Sequence, residues 1–487
     1  MSNVSLTQAI PMLLKAVPRS RNFEAVLLFW VAGIHAFALA QIQLAVSQRM
    51  SWDMLYYWAP PTISAWILHY VLRKYVLNAD GLLLPLAFLL NGLGIAMIYR
   101  LDLAEITRGG EDLFAERQVW LSCFAMLVAA IVVRLVRNPL VLRRFPYLAG
   151  AAAVVLLLLP AAPVIGRTFN GATLWIAIGD LSFQPGEIAK ILLAIFFAGY
   201  LVSRKGPLSE IGSRVLGMRI PRAKDLGPIL LFWVASMAVL VIQRDLGTSI
   251  LYFGLFLVMI YTATGRGFYV GIGLVMMVTG ALVASRLFGY VGARFDSWLA
   301  PFATENYTAP GGSYQLVQGL FGYVGARFDA WLAPFATENY TTQGGSYQLV
   351  QGLFGMAHGD VIGAGLGSGF PQLIPLAESD FIFAALGEEL GLAGIFAILA
   401  IYLLIVYRGL RIANTHQDDF SKLLALGFSF VLGLQVFIVA GGVMGLLPLT
   451  GLTTPFLAAG GSALLANWSI IALLLVLSDS SLRRVKE

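Results

Sequence analysis

Apolar stretches of about twenty residues recur along the chain and are separated by short polar connections. A helix needs roughly 20 apolar residues to cross a hydrocarbon core of about 30 Å. The first stretch has no small-residue cleavage site after it, so we expect a retained helix and not a signal peptide. The pattern predicts an all-α polytopic membrane protein with twelve transmembrane helices, at approximately 23–47, 54–73, 81–99, 118–136, 145–163, 186–203, 227–243, 246–264, 268–286, 382–407, 423–446 and 463–478.

The basic residues predict how these helices are oriented. Most of the 32 lysines and arginines fall in alternate connections, which the positive-inside rule assigns to the cytoplasm together with both termini. Residues 287–381 are then one large external loop, and 164–185 form a shorter external segment that we expect to cap a cavity. The predicted organisation is an N-terminal extension with two helices (1–80), a membrane core (81–478) and a cytoplasmic tail (479–487).

Composition supports the membrane assignment. The chain is 59% hydrophobic and 12% charged, whereas soluble domains carry about 25% charged residues. The net charge of +6 does not indicate nucleic-acid binding, because the basic residues lie between apolar segments; we expect membrane lipids, and no nucleic acid, as partners. The single cysteine, Cys123, excludes an intramolecular disulfide and a cysteine metal site.

A tandem repeat lies inside the large external loop. Residues 287–319 recur as 320–352, and the two copies differ only at Ser297/Ala330, Ala309/Thr342 and Pro310/Gln343. Arrays of stacked repeats normally need three or more units. The pair is therefore interpreted either as two copies of an active-site segment or as a neutral insertion, since loops tolerate added length. An assembly artefact in the sequence is the third interpretation.

Ionisable residues within or beside transmembrane helices are costly, so each is a functional candidate. Glu187 and Lys190 lie one turn apart at a helix start, where they either neutralise each other or offer Lys190 to an anionic lipid headgroup. At a sharp turn, Arg244 is suited to a phosphate and Asp245 to capping the next helix.

Acidic residues gather at the start of the tenth predicted helix. Ser379 or Asp380 is expected to cap that helix, whereas Glu388 and Glu389 lie within its apolar run and need partners. We expect Glu388 and Glu389 to shape a polar cavity. In the repeat, carboxylates lie beside aromatic residues that can stack on a sugar, and glycosyl transfer to a hydroxyl needs such a carboxylate as base.

Four motifs, in order, resemble those of the SEDS family (shape, elongation, division and sporulation) of bacterial cell-wall polymerases. Residues 183–190 read FQPGEIAK, similar to the family's FQPSEFAK, and 244–248 read RDLGT, similar to PDLGT. Residues 378–391 read ESDFIFAALGEELG, where the family has HTDFIFA followed by GEELG, and 448–456 resemble its C-terminal signature. The two helices beyond the family's usual ten resemble its actinobacterial branch.

The resemblance implies a peptidoglycan glycosyltransferase of the bacterial cytoplasmic membrane. Such an enzyme polymerises lipid II into glycan strands during elongation or division, usually with a class B penicillin-binding protein as partner. The acceptor's sugar hydroxyl attacks the donor's anomeric carbon, and undecaprenyl pyrophosphate leaves. A divalent cation (Mg²⁺ or Mn²⁺) would assist the pyrophosphate, although no ligand cluster identifies one.

Site residues are carried over by position. The family's catalytic aspartate falls on Thr304 in the first copy and Thr337 in the second, beside Glu305 and Glu338. We predict Glu338 as the catalytic base, because its copy leads directly into the later motifs, with Glu305, Asp329 and Asp296 as the other candidates. The substrate-binding candidates are Arg167, Lys190, Glu187, Arg244, Asp245, Arg294, Arg327, Gln348, Asp380 and Glu388.

Two other functions remain open at this point. A lipid II flippase or transporter would place essential charges, including Glu388 or Glu389, along a path through the membrane. A non-catalytic scaffold for a penicillin-binding protein would agree with the missing aspartate. Only the polymerase requires an essential carboxylate in the external loop.

Overall fold

The computed structural model describes residues 21–107, 113–162, 165–169, 172–178, 181–205, 212–215, 218–221, 246–271, 273, 275, 347–447 and 451–483. Helices dominate these ranges, as the apolar pattern predicts. Their bounds are Arg21–Ser47 (α1), Met54–Tyr75 (α2), Leu83–Thr107 (α3), Ala115–Leu135 (α4), Pro146–Leu158 (α5), Pro185–Ser203 (α6), Leu246–Thr264 (α7), Tyr347–Gly359 (α8), Ile382–Thr415 (α9), Asp419–Val443 (α10) and Gly461–Arg483 (α11).

Seven helices within the described ranges are long and apolar enough to cross a membrane: α1, α3, α4, α6, α9, α10 and α11. Helix α5 is shorter, as is the apolar stretch 250–264 within α7, and α2 contains Pro60 and Pro61. The chain is thus a mostly helical, multi-pass membrane protein. The predicted span 227–243 and most of 268–286 lie outside the described residues, so the number twelve remains a prediction.

In segment 164–185, which the charge pattern predicts to be external, the described residues form an antiparallel sheet of three strands, Gly166–Phe169 (β1), Ala172–Ile178 (β2) and Leu181–Phe183 (β3). A second hairpin joins Gly212–Val215 (β4) to Met218–Pro221 (β5). Apolar periodicity did not reveal these short strands, because it was read for runs long enough to span a bilayer.

Helix α9 differs from its prediction in two respects. It extends to Thr415 instead of 407, and Gly391 interrupts it with a φ of 68°. The expectation that Ser379 or Asp380 caps α9 is wrong, because Phe381 occupies the N-cap position and makes no side-chain cap hydrogen bond.

The helices form a bundle with two ends: the sheet end, where strands β1–β3 lie, and the opposite end. At the sheet end, the amide of Gln184, which follows β3, donates to Ser462 Oγ at the start of α11 (2.9 Å). The segments 360–381 and 451–460 lie at this end also, since the Ala459 amide donates to the Glu378 carbonyl (2.7 Å).

The opposite end is held by polar contacts between residues far apart in the chain. Arg408 of α9 pairs with Asp80, which precedes α3. The backbone amide of Asn78 donates to Asp479 Oδ1 (2.8 Å), and that of Asp80 donates to Ser478 Oγ (3.0 Å). The connection between α2 and α3 is thereby fixed to α9 and α11.

Candidate functional site

Glu187 and Lys190 lie on the first turns of α6, at the sheet end. Pro185 starts the helix, where its missing N–H leaves no donor unpaired, and Glu187 faces the positive end of the helix dipole. The Lys190 Nζ atom lies 2.6 Å from Glu187 Oε2, and both side chains are almost fully buried. The pairing expected from their spacing is therefore present.

Two further helices complete the surroundings of Lys190. Its Nζ donates to Gln435 Oε1 of α10 (3.0 Å) and to Asn467 Oδ1 of α11 (3.1 Å). The Gln435 side-chain amide donates in turn to the Thr453 carbonyl (2.9 Å). An ammonium group has three hydrogens to donate, so Glu187, Gln435 and Asn467 use all of them. We call these four side chains the lysine cluster.

Unpaired polar atoms border the lysine cluster. Within the described part of the chain, Asn467 Nδ2, Thr453 Oγ1 and Thr454 Oγ1 are buried without a hydrogen-bond partner. Buried polar groups are nearly always satisfied, so each such group calls for an explanation. Asn467 belongs to the lysine cluster, and the Thr453 carbonyl accepts from Gln435, so two of these atoms lie on residues joined to the cluster.

A second charged network lies between α3 and α9. Arg100 Nε donates to Glu389 Oε1 at 2.8 Å, and both side chains are buried. Arg100 Nη2 also donates to the Gly369 carbonyl (2.7 Å) and to Gln372 Oε1 (3.3 Å). The other carboxylate oxygen of Glu389 accepts the Gly367 amide (2.9 Å). Together these contacts fix the glycine-rich loop 360–373 to two helices.

Glu388 holds the same loop at a neighbouring point. Its Oε1 atom accepts the Phe370 amide (2.8 Å) and lies 3.1 Å from His358 Nδ1, at the end of α8. The expectation that Glu388 and Glu389 need partners in an apolar helix is met by backbone amides and by Arg100. Nearby, burial raises the pKa of the Glu378 carboxyl above its usual range.

The break in α9 at Gly391 receives the start of this loop. The Ala364 and Gly365 amides donate to the Glu388 and Glu389 carbonyls, both at 3.0 Å. A side chain on Gly391 would overlap the backbone of residues 361–363. Helix α8 also packs closely on the start of α9, because a Cβ on its Gly352 would lie 2.8 Å from the ring of Phe381, which precedes α9. The end of the second repeat copy therefore packs directly on the start of α9.

The remaining predicted site residues are distributed as follows. Arg167 is exposed on β1, where it pairs with Trp175 of β2. Asp380 is half-buried just before α9, and Gln348 lies on α8. The catalytic candidates Glu338, Glu305, Asp329 and Asp296, and the binding candidates Arg244, Asp245, Arg294 and Arg327, lie outside the described residues.

Several residues of the site were missed by sequence reasoning. Gln435 and Asn467 lie in apolar helices that were read only as spans. The third span was predicted to end at 99, which left Arg100 in an external connection, whereas α3 continues to Thr107 and buries it. A search for polar side chains inside apolar runs would find Gln435 and Asn467, and extending the third run by one residue would include Arg100.

The family model described as "Cell cycle protein" (FtsW, RodA and SpoVE) matches residues 81–325 and 320–482. The chain belongs to this family. The two matched ranges overlap at 320–325, the first residues of the second repeat copy, so the first range contains one whole copy and the second range contains the other.

Individual family members extend the comparison. The "Peptidoglycan glycosyltransferase RodA" of Mycobacterium tuberculosis is 39% identical over 472 residues, which cover 96% of this chain and 93% of that protein. The "Probable peptidoglycan glycosyltransferase FtsW" of Geobacter metallireducens is 32% identical over 414 residues, covering 83% and 96%. The mycobacterial relative thus matches more of this chain than the FtsW protein does.

A solved structure supports the fold. It is described as "Structural coordination of polymerization and crosslinking by a peptidoglycan synthase complex", and the matched chain has a TM-score of 0.58 at 22% identity. The match covers 83% of this chain and 98% of the other. At this identity the likeness concerns the fold, which is that of the FtsW/RodA/SpoVE family.

Proposed function

We propose that this chain is a peptidoglycan glycosyltransferase that polymerises lipid II into glycan strands during elongation or division. The observation that carries the proposal is the 39% identity to RodA over 96% of the chain. The structure adds a buried, polar sheet end where three helices meet around Lys190. These features fit a substrate with a charged, sugar-bearing headgroup and a lipid tail.

The sheet end faces the outside of the bacterial cytoplasmic membrane in this proposal. Exposed basic residues at the opposite end, among them Lys74, Arg134, Arg137 and Lys205, agree with a cytoplasmic location for that end. This orientation corresponds to twelve spans with both termini inside. It places the repeat on the side where glycan strands are made.

The lysine cluster is assigned a role in shaping the headgroup site. Since Lys190 already donates to three side-chain oxygens, an anionic group could bind it directly only by displacing one of them. Its contact with Asn467 Oδ1 leaves Asn467 Nδ2 as an available donor. We assign direct contact with sugar or pyrophosphate oxygens to Asn467, with Thr453 and Thr454 beside it.

The base that takes the proton from the acceptor hydroxyl is assigned to the repeat. Glu338 is preferred because residue 347, nine positions later, begins α8, which packs on the start of α9. Loss of the hydroxyl proton to a carboxylate accompanies attack on the anomeric carbon. Arg294, Arg327 and Arg244 are assigned to the negative charge that develops on the leaving pyrophosphate.

A class B penicillin-binding protein is the proposed partner. The structural neighbour is described as a synthase complex that coordinates polymerization and crosslinking, which supports this choice. A requirement for Mg²⁺ or Mn²⁺ stays a prediction: the described residues hold no group of three or more His, Cys, Asp or Glu side chains that could hold a metal ion. We assign no step to a cation, and polymerisation measured with and without a chelator tests the requirement.

The transporter alternative receives less support from the geometry. It requires Glu388 or Glu389 to serve a moving substrate, yet both carboxylates are bound by loop amides, and Glu389 also pairs with Arg100. Such contacts are suited to holding a loop in place.

The test is polymerisation of labelled lipid II by the purified chain together with its partner. Wild type is compared with Glu338→Gln, Glu305→Gln and the double variant. We expect strand formation to fall on the order of a hundredfold or more in Glu338→Gln and to persist in Glu305→Gln, because only the second copy leads directly into α8.

Loss of activity in the double variant alone would show that either copy can serve. Full activity in the double variant would refute the glutamate assignment and direct attention to Asp329 and Asp296. An inactive wild type beside an active family member would contradict the polymerase proposal and favour the transporter or the scaffold.

A further inference from the structure

Helices α1 and α2 lie outside the part of the chain that the family model matches, which begins at residue 81. The FtsW relative covers 83% of this chain, whereas the mycobacterial RodA covers 96%. The pair α1–α2 is therefore an addition to the family core that the mycobacterial relative shares. Its contacts with the core indicate what this addition does.

The two added helices form one unit. Trp58 Nε1 of α2 donates to the Ala32 carbonyl of α1 (2.8 Å). Near the opposite end, the buried Glu24 carboxylate of α1 pairs with Arg21 and lies 2.6 Å from His69 Nδ1 of α2. Buried charged contacts of this kind fix the relative position of two helices when every partner is present.

Helix α1 also packs closely on α3. The His35 ring lies against Gly92, where any side chain would overlap it, and His35 Nε2 lies 3.2 Å from the Leu89 carbonyl. The same α3 carries Arg100, which binds loop 360–373. Helix α1 is thus held beside the helix that anchors the loop.

Close to its C-terminal end, α1 contacts the loop itself. A Cβ on Gly367 would lie 2.7 Å from Ala45 Cβ and 3.3 Å from the Ile42 backbone. Gly367 has a φ of 85°, a conformation that favours glycine. Its amide is the one that Glu389 binds. On one side Gly367 is therefore held by the hydrogen bond to Glu389, and on the other it is pressed against α1.

We infer that α1 is a positioning element for loop 360–373. Ile42 and Ala45 pack against Gly367 and thereby hold its amide at Glu389. Through the same loop they also hold the Gly369 carbonyl at Arg100. This loop joins α8, whose first residues (347–352) end the second repeat copy, to α9, so its position influences how the end of that copy packs on α9. The part of the inference that concerns activity rests on the proposed function; the part that concerns loop position does not.

Gly367→Ala is the principal variant, and Gly365→Ala is its matched control. Both residues have positive φ (85° and 99°), but a Cβ on Gly365 would meet only Ser368, at an ordinary distance of 3.6 Å. Backbone strain is thus similar in the two variants, whereas only Gly367→Ala collides with α1. The double variant Gly367→Ala/Ala45→Gly removes the nearest collision and should restore the loop.

Two measurements are made on each full-length variant: amide hydrogen exchange over residues 363–373, and kcat and KM for lipid II. We expect Gly367→Ala to raise exchange and to lower kcat on the order of tenfold or more with a smaller change in KM, because displacements of about 1 Å can reduce rates by up to a hundredfold. Gly365→Ala should show only the smaller effect of backbone strain at its positive φ, and the double variant should approach Gly365→Ala.

Ala45→Gly alone provides a second route if Gly367→Ala fails to fold. Ala45→Gly removes the side chain that packs against Gly367 without altering the loop sequence. Ala36→Gly, about 13 Å away along the same helix, controls for the loss of helix propensity. Faster loop exchange in Ala45→Gly than in Ala36→Gly is expected. Equal effects of Gly367→Ala and Gly365→Ala, or no rescue in the double variant, would overturn the inference. An inactive wild type with the expected exchange pattern would refute only the polymerase proposal.

Discussion

At the scale of single residues, the surroundings of Lys190 favour a structural role for its charge over direct binding of a ligand. Glu187, Gln435 and Asn467 come from three helices and turn side-chain oxygens toward one ammonium group. A buried ion pair is tolerated only when further hydrogen bonds satisfy its remaining groups. The two amides do so here, and they bring α10 and α11 to a fixed distance from α6.

Replacing Lys190 tests this structural role. Lys190→Met leaves Glu187 buried without its cation and should lower the free energy of unfolding by about 3–5 kcal/mol, measured in mixed detergent micelles. Lys205→Met is the control, because the Lys205–Asp419 pair is about half exposed and such surface pairs contribute less than about 1 kcal/mol.

The variant Glu187→Gln/Lys190→Met removes both charges and should regain more than half of the lost stability. A double variant as unstable as Lys190→Met would mean that the amide contacts, not the uncompensated carboxylate, dominate.

Sequence reasoning found one half of this cluster. Glu187 and Lys190 stand out because they are charged and lie three positions apart at a helix start. Gln435 and Asn467 lie on separate helices, far along the chain, and carry no charge. Their proximity to Lys190 depends on how the helices pack, which a pattern along one chain does not specify.

At the scale of elements, α9 is a single long helix that Gly391 divides into two parts, and each part makes its own hydrogen bonds to loop 360–373. In the turn before Gly391, the Glu388 and Glu389 carbonyls accept hydrogen bonds from amides of loop 360–373. In the turn after it, helix amides donate to carbonyls of the same loop. The Leu392 and Ala393 amides donate to Asp360 and Val361 at 2.9 and 3.0 Å. The break thus exchanges helical hydrogen bonds for bonds to the loop.

Gly391→Ala tests the importance of this break. Gly391 has a φ of 68°, and a methyl group there would overlap the backbone near Gly363. We expect the melting temperature to fall, with a loss of about 2 kcal/mol or more from strain and displacement.

The control is Gly33→Ala on α1, where a methyl group would meet nothing within 4 Å; there alanine should stabilise the helix by up to about 1 kcal/mol. A Gly391→Ala protein as stable as wild type would show that the loop can separate from α9 without loss.

The break could not be predicted from the sequence. The GEELG segment was read as part of a continuous apolar helix, and glycine is common in transmembrane helices. Only the positive φ and the contact with residues 361–363 distinguish Gly391 from a glycine inside a regular helix.

At the scale of the whole molecule, some predicted spans agree closely with the helices because both follow from the thickness of the hydrocarbon core. The first prediction, 23–47, lies within α1 (Arg21–Ser47), and 246–264 has the bounds of α7. Elements that do not span, such as the β1–β3 sheet, leave no comparable signal. The packing of α1 on the loop is equally absent from the sequence pattern.

Deleting one repeat copy tests the organisation of the segment 287–381. Removal of 287–319 or of 320–352 yields two chains that differ only at the three positions where the copies differ. In both, a complete copy leads into α8, and the closure free energy of a loop changes slowly with its length, by about 0.6 kcal/mol for each doubling.

We expect both deletion proteins to fold with unchanged melting temperature and to retain polymerisation of lipid II. Loss of activity in both, with folding intact, would show that two copies are required.

The contacts of the α2–α3 connection have a consequence for biosynthesis. The backbone amides of Asn78 and Asp80 donate to the side chains of Asp479 and Ser478, about 400 residues later. A chain emerging from the ribosome inserts α2 and α3 long before α11 exists. The connection between them therefore stays without these contacts until α11 enters the membrane. A nascent chain truncated before α11 would present this unfinished junction to the membrane's quality-control proteases.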